Sequence, residues 1–428
     1  MKVLVVNAGS SSCKYQLIEM AGSSVKVLCA GLAERIGLDR GRLTHRIDPD
    51  GPAAEKIVRE RPFPTHKEAL ELVVSLLTDP AKGVIRSRDE LYAIGHRTVH
   101  GGEAITEPVL VDERVKQVLE DCTPLGPLHN PPNLAGIRVC EALFPGIPNV
   151  AVFDTEFGTA MPEESYMYAL PYEYYERLGV RRYGFHGTSH KYVAKACAKY
   201  LGKPLRELNA ITLHLGNGSS ISCVKNGKCL DTSMGLSPLE GLVMGTRCGS
   251  IDPAIVPFIM QQDKLSPAEM DAVMNRNSGL GGACGFTDMR DVHAARAKGD
   301  RKADLAFRLF IHAIKKTLGS YFFELGGQVD AVTFTAGIGE NDSITRQAVM
   351  EGLEAIGFRL DEQENRLHKP GPRTISAPGS LFPILVIPTN EELQIAESAV
   401  SVVSAQRTLG VGTRYLLDLR LAWPSEEE

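Results

Sequence analysis

The chain has 428 residues, 43% of them hydrophobic and 23% charged, with 41 glycines, 25 prolines and a formal net charge of −5. That length exceeds one ordinary core, and the balance is that of a soluble globular protein rich in tight turns, with two domains the natural organisation. The acid excess argues against a general nucleic-acid or membrane-surface partner, no apolar run approaches the about 18 residues needed to span a bilayer, and the opening run is too short for a secretion signal.

A first strand is expected at "KVLVV". It stops at Asn7 and gives way to Gly9, the serines Ser10 to Ser12 and then Lys14. Glycine lets backbone approach a ligand, successive amides in a tight turn form an anion-binding concavity, and Lys14 adds a mobile positive charge. Asn7 offers a neutral oxygen suited to a Mg²⁺-bound water or a phosphate. Serine and glycine are also ordinary turn-formers, so this loop alone reads equally well as a hairpin turn.

Further along, Thr65 and Glu68 stand in capping-box register at the head of "THKEALELVVSLL". Strands are expected at "LYAIGHRTV" and "NVAVFD", and the proline-dense "CTPLGPLHNPPN" between them marks a candidate end to the first domain. "ITLHLGNGSSISCVKNGKCL" then echoes the opening: an apolar strand, a turn with Asn and Gly, paired serines and a second strand, with Asn226-Gly227 as a hairpin signal. Two such units half a chain apart suggest two similar domains facing each other across a cleft. Ser266, Pro267 and Glu269 open another capped helix. A long helix is expected from Asp304 to Leu325, with Leu305, Leu309, Ile314, Leu318, Phe322 and Leu325 on its buried face. Strands at "AVTFTAG" and "ILVIPT" complete an α/β pattern. The closing "RTLGVGTRYLLDLRLAWPSEEE" follows an amphipathic helix and carries the single Trp and an acidic tail.

The nine cysteines include no C-x-x-C pair and are odd in number, so reduced core thiols are expected; Cys13, inside the opening loop, is a candidate for oxidation. "TAGIGEND" places Gly337 and Gly339 after a strand, where a nucleotide can lie against backbone. It lacks the third glycine of a dinucleotide fingerprint and the G-x-x-x-x-G-K-[ST] of a P-loop.

"VNAGSSSCK", "YGFHGTSHKYV", "HLGNGSSIS", "MGTRCGSIDP", "FTAGIGEN" and "PTNEE" occur together and in this order. The sequence thereby closely resembles the acetate kinase family, within the acetate and sugar kinase, heat-shock and actin superfamily, from about Lys2 to Ala405. The resemblance implies two duplicated actin-like (ribonuclease H-like) α/β domains with a cleft between them: residues 1–153 plus 390–428, and residues 154–389. It implies reversible transfer of the ATP γ-phosphoryl to a short carboxylate, giving an acyl phosphate and ADP, with Mg²⁺ as the metal and Mn²⁺ able to substitute. A carboxylate is already ionised at neutral pH, so such a site needs cations and positioning rather than a base.

Residue by residue, the resemblance assigns Arg97 in "GHRTVHGG" to the substrate carboxylate and Arg247 in "MGTRCGS" to the transferring phosphoryl. His186 would donate to phosphoryl oxygens, with His129 a second candidate and His100 and His190 structural. Asp154 would be the active-site Asp often assigned proton transfer in the family; because the nucleophile is already ionised, Mg²⁺-bound water or orientation of Arg247 is the preferred role here. Val99, Leu128, Phe185 and Pro238 would form the methyl pocket, Val99 narrowing it toward acetate. Nucleotide contacts are expected from Ser10, Ser12 and Lys14, from His214, Leu215, Gly216, Asn217 and Gly218, from Asp288, Met289 and Arg290, and from Gly337, Ile338, Gly339, Glu340 and Asn341. Asn7 and Glu391 would hold the metal, Glu392 being expected to form a capping box with Thr389.

The family's "FDTAFHQTMP" is "FDTEFGTAMP" here, with Glu156, Gly158 and Thr159 at the variant positions. A propionate or butyrate kinase, a pyrophosphate-dependent enzyme and a non-catalytic nucleotide-binding module are the alternatives; the last would have shed Arg97, His186 and Arg247. A cytoplasmic homodimer, with the C-terminal extension available to cover a dimer surface and without nucleic-acid or membrane partners, completes the expectation.

Overall fold

The computed structural model describes residues 1–22 and 24–409. The C-terminal extension lies outside the described residues from Gly410 onward, and with it the expectation that it covers a dimer surface. The chain divides into two compact units, Met1–Glu156 with Glu391–Glu428, and Phe157–Asn390.

Strands of the first unit are β1 (Lys2–Ala8), β2 (Ser12–Ala21), β3 (Ser24–Glu34), β4 (Gly41–Ile47), β5 (Glu55–Arg61), β6 (Leu91–Thr98), β7 (Val109–Leu110) and β8 (Asn149–Phe153). Those of the second are β9 (Ala210–Leu215), β10 (Ser219–Lys225), β11 (Lys228–Thr232), β12 (Ala331–Thr335), β13 (Arg373–Thr374) and β14 (Ile384–Val386). Among the described residues they form two sheets, ordered β5-β4-β3-β2-β1-β6-β8-β7 and β11-β10-β9-β12-β14-β13. In the first, β1 runs antiparallel to β2 and parallel to β6, and β6 parallel to β8, while β7 closes the edge antiparallel. In the second, β9 stands in the same relation to β10 and β12, β12 to β14, and β13 closes the edge. Six strands thus repeat one plan, with β4 and β5 added to the first copy. This is the duplicated actin-like α/β fold.

The central strands are apolar on both sides because both sides are covered. In β1, Leu4 and Val6 face a core shared with the helices His66–Leu77 and Asn130–Leu143. Val3 and Val5 face Ile395, Ala396, Ala399 and Val403 of the helix Glu391–Leu409. A Cβ at Gly95 on β6 would sit 2.6 Å from Ile395 Cγ2, so glycine lets that last helix lie close on the sheet. In the second unit Ile211 and Leu213 pack with Phe310, Ile314 and Leu318, while Ala210 and Leu385 pack with Val193, Ala194 and Cys197.

Several expectations are corrected. The long helix spans Arg301–Glu324, and its buried face is Ala303, Ala306, Phe307, Phe310, Ile311, Ile314, Leu318 and Tyr321. Leu305 and Leu309 lie on the i, i+4 row turned to solvent. The proline-dense stretch lies within the first unit, where Pro131 and Pro132 open a helix whose missing N–H groups would be orphans anyway. Cys13 is buried and its thiol is pushed up to about 12 by burial, so it is a core group and not a reactive one. All nine cysteines are free, seven of them buried. Among the described residues no helix is long and apolar enough to cross a membrane.

The helix Asn130–Leu143 fixes the loops above the sheet. Asn133 donates to the Ala8 carbonyl at 2.8 Å and accepts from the Val99 amide at 3.1 Å, and a Cβ at Gly136 would come 2.7 Å from Ala8 Cβ. Gly136→Val is expected to destabilise the protein by roughly 1–3 kcal/mol through overpacking. A urea-unfolding midpoint equal to that of the parent would show that this helix is not seated as described.

Candidate functional site

The motif-bearing loops of each unit gather at the ends of its parallel strands, the usual address of a ligand in an open α/β sheet. In the first unit these are the β1–β2 turn and the residues after β6 and β8. Gly9 closes that turn with its N–H on the Ser12 carbonyl at 2.8 Å, a His66 ring N–H donates to the Gly9 carbonyl at 2.7 Å, and Ile36 donates to Ser11. Ser10 is thereby left exposed and Ser12 half-buried beside Gly9. Asn7 and Lys14 are register partners across the hairpin.

Arg97 on β6 and Asp154 just beyond β8 meet because their strands are neighbours. Arg97 Nε donates to Asp154 Oδ1 at 3.3 Å and Nη2 pairs with Oδ2, while Glu391 Oε2 lies 3.6 Å from Nε. Burial opposes the charge on Arg97, but the Asp154 and Glu391 carboxylates outweigh it and hold the guanidinium above its ordinary range. Burial also pushes the Glu391 carboxyl up; Arg97 pulls it back, and the charges of Asp154 and Glu392 push it further. The arginine that Asp154 orients within its own unit is therefore Arg97. Glu392 pairs with Lys14. The last helix begins at Glu391, one residue later than a Thr389–Glu392 capping box requires, because the Thr389 hydroxyl is bonded to Ser189 at 2.8 Å and its amide to Glu340 at 3.1 Å. Val99 is buried nearby, whereas Leu128 is 58% exposed.

In the second unit His186 sits in the left-handed region (φ 57°) at the head of the helix Gly187–Leu201, immediately after buried Phe185. Its ring stacks on that of His214, with centroids 4.2 Å apart. Ser220 Oγ lies 2.9 Å from His186 Nδ1 and 2.8 Å from His190 Nε2, and His190 Nδ1 meets Thr212 at 2.7 Å. Burial, helped by His214, drives His190 well below its ordinary value, so it is neutral and carries one N–H. When that N–H is on Nε2, Ser220 receives it and passes its own O–H to His186 Nδ1. His186 then presents an N–H at Nε2 without being charged. A Cβ at Gly218 would sit 3.4 Å from that Nε2 and 3.5 Å from Arg247 Nη1, so the two groups converge over the glycine. Pro238 serves this cluster through its carbonyl, which accepts from Arg247 at 3.1 Å, and burial lowers the Arg247 pKa.

Beside it opens a cavity of about 710 Å³, lined by Gly216, Asn217, Asp288, Met289, Arg290, Gly337, Ile338 and Asn341 of the residues expected from sequence. Asp288 caps the helix Met289–Ala297 and grips Arg290 (3.0 and 2.6 Å), which holds its carboxyl near pKa about 2. Three further lining residues escaped the sequence: Thr287, His293 and Asp342. His293 Nε2 and Asp342 Oδ2 are 2.8 Å apart. The i, i+3 spacing of Arg290 and His293 on one helix was the available signal. Leu215, Gly339 and Glu340 do not line the cavity. Leu215 is core, the Gly339 carbonyl accepts from buried Arg346, and the Glu340 carboxylate accepts from the amides of Ala336 and Thr389.

The Acetokinase family profile matches residues 2–397. The chain belongs to the acetokinase family. The acetate kinase of Desulfovibrio desulfuricans is 65% identical over 403 residues, which cover 94% of this chain and 100% of the relative. The crystal structure of Porphyromonas gingivalis acetate kinase matches with a TM-score of 0.88 at 42% identity, over 94% of this chain and 99% of that one. A propionate kinase from Francisella tularensis matches with a TM-score of 0.86 at 40% identity, with the same coverage. The departure at Gly158 has a local reason: a Cβ there would lie 2.0 Å from the Tyr183 carbonyl oxygen, so this backbone admits only glycine. Glu156 is buried.

Ser220→Ala removes the hydroxyl that links His190 to His186. Its expected effect is a fall in kcat of up to about 10²-fold through loss of ring orientation, with nucleotide KM little changed. A rise in KM at constant kcat would place Ser220 in binding instead.

Proposed function

We propose that this acetokinase-family phosphotransferase is an acetate kinase, reversibly transferring the γ-phosphoryl of ATP to acetate to give acetyl phosphate and ADP. The observation that carries the reading is the convergence of His186 and Arg247 over Gly218, beside a cavity walled by the adjoining Gly216 and Asn217. That arrangement suits a nucleotide whose terminal phosphate meets a guanidinium and an imidazole N–H. In the reaction an acetate oxygen attacks the γ-phosphorus in line and the bond to the β,γ-bridging oxygen breaks, its electron pair leaving with ADP. No proton moves, which is why a site built from cations suffices.

Arg97, kept charged and oriented by Asp154, is the group for the acetate carboxylate, with Val99, Leu128, Phe185 and Pro238 around the methyl. Asn7 and Glu391 would hold Mg²⁺ as it arrives with the nucleotide, Lys14 and the Ser10–Ser12 turn standing by the phosphates. Among the described residues no cluster of three or more His, Cys, Asp or Glu could cage a metal. Mg²⁺ ordinarily keeps most of its waters and is held by one or two carboxylates and substrate phosphates. The ion would offset phosphate charge, and Mn²⁺ would substitute. Residues 154–389 would carry most of the nucleotide contacts, and residues 1–153 with 390–428 the phosphate-binding loop and the closing helix. A homodimer in the cytoplasm, without nucleic-acid or membrane partners, is the accompanying reading.

The test is a hydroxamate assay for acyl phosphate with acetate, propionate and butyrate, using ATP and pyrophosphate as donors. Acetate with ATP is expected to be fastest; a preference for propionate would favour the second reading, for which the Francisella propionate kinase is the precedent. Val99→Ala is expected to raise the propionate-to-acetate ratio of kcat/KM by roughly tenfold, as one methylene is worth about 1–3 kcal/mol. An unchanged ratio would remove Val99 from the pocket. Asp154→Asn is expected to lose most activity because Arg97 loses its partner; recovery of much of it as Mg²⁺ is raised would instead give Asp154 a role through Mg²⁺-bound water.

A further inference from the structure

Between the end of β11 and the helix Ile255–Asp263 the chain has no helix or strand, and this stretch carries both Pro238 and Arg247. Arg247 is a charge without a carboxylate. Among the described residues its Nη1 donates to the Pro238 carbonyl at 3.1 Å and approaches Met244 Sδ at 3.7 Å, and no ion pair holds it. The direction of the guanidinium therefore depends on where an irregular loop puts one carbonyl. A group placed in that way keeps its aim only if its support is itself locked.

Three side chains lock the loop. Glu240 is gripped from both sides: Arg182 Nη2 donates to Oε1 at 2.9 Å, and the Tyr168 hydroxyl donates to Oε2. The same hydroxyl accepts from the Leu236 amide at 3.1 Å. One phenol oxygen thus closes a ring from Leu236 to Glu240, and Pro238 is its middle residue. Arg182 Nη1 reaches back to the Thr232 carbonyl at 2.9 Å, where β11 ends, while the amides of Tyr183 and Gly184 donate to the Gly235 carbonyl at 3.1 and 3.3 Å. Gly235 leaves the room this needs, since a Cβ there would lie 1.9 Å from Glu240 Oε2 and 2.2 Å from Tyr168 Oη. Burial, and then the Glu240 charge, pushes the Tyr168 phenol up, so it keeps the proton that it donates.

We propose that Tyr168 and Glu240, anchored by Arg182, are positioning residues for phosphoryl transfer: they fix the Pro238 carbonyl, and through it the aim of Arg247 over Gly218. This role presupposes that Arg247 meets the transferring phosphoryl. Neither Tyr168 nor Glu240 lines the nucleotide cavity, so the clamp acts on the rate of transfer and not on the hold of the nucleotide.

Tyr168→Phe removes the ring-closing hydroxyl and almost no volume. Its kcat for acetyl phosphate formation is expected to fall by about tenfold or more while the nucleotide KM changes by less than about twofold, as a small misplacement of a catalytic group is costly. Glu240→Ala is expected to match it, and the two together to lose no more than the worse of them. In an Arg247→Lys background, itself well below the parent in kcat, Tyr168→Phe is expected to cost less than about twofold, because the group it aims is gone. A parental kcat in Tyr168→Phe, an equal loss in both backgrounds, or a rise in acetate KM at constant kcat would overturn the proposal and leave Arg247 its role. Arg247→Lys with the kcat of the parent would overturn that role, and the clamp's with it.

Discussion

Arg97 holds the first unit's chemistry together. A guanidinium largely removed from water is costly unless opposite charge surrounds it, and here Asp154 and Glu391 supply that charge from neighbouring strand and helix ends. Two carboxylates on one arginine leave it fixed in direction and permanently charged, and the arginine in turn is what lets the two carboxylates share a buried neighbourhood. Each member is tolerable only because the others are present. The cluster exists because β6, β8 and the last helix all deliver their ends to one edge.

The second unit solves a related problem with neutral groups. Ser220 lies between two imidazoles, one of them too buried to carry charge, so a proton on His190 Nε2 sets the proton position of His186 at no electrostatic cost. Arg247 beside it is supported by a carbonyl rather than by a carboxylate. A donor pair of that kind leaves its charge uncompensated and available to an incoming anion. The duplicated strand order thus carries two different electrostatic designs: a neutralised cluster in one copy and an open cationic one in the other.

Much of this was legible from sequence where local chemistry decides. Strand runs, the capping boxes at Thr65 and Ser266 and the Asn226-Gly227 turn all formed as their residue types dictate. The glycine loops were recognisable, and most of "GNG", "DMR" and "TAGIGEN" reached one cavity. What could not be read depended on partners distant in the chain. Leu305 and Leu309 fit a helical stripe, but only the packing of the neighbouring helices shows which stripe is buried. Glu340 looked like a ligand contact because no local feature reveals that the amides of Ala336 and Thr389 claim it. His293 and Asp342 were missed for the same reason, being 49 residues apart in sequence and joined only by the fold.

The helix Glu391–Leu409 covers one face of β1, β6 and β8 in the first sheet, yet it is made after everything else in the described structure. On the ribosome, residues 157–390 emerge as one uninterrupted stretch and can condense as soon as they clear the tunnel, whereas the earlier-born half must wait with Val3, Val5, Val150 and Val152 uncovered. Birth order and completion order are therefore reversed, and the opening hairpin, first to be synthesised, is the last to be sealed.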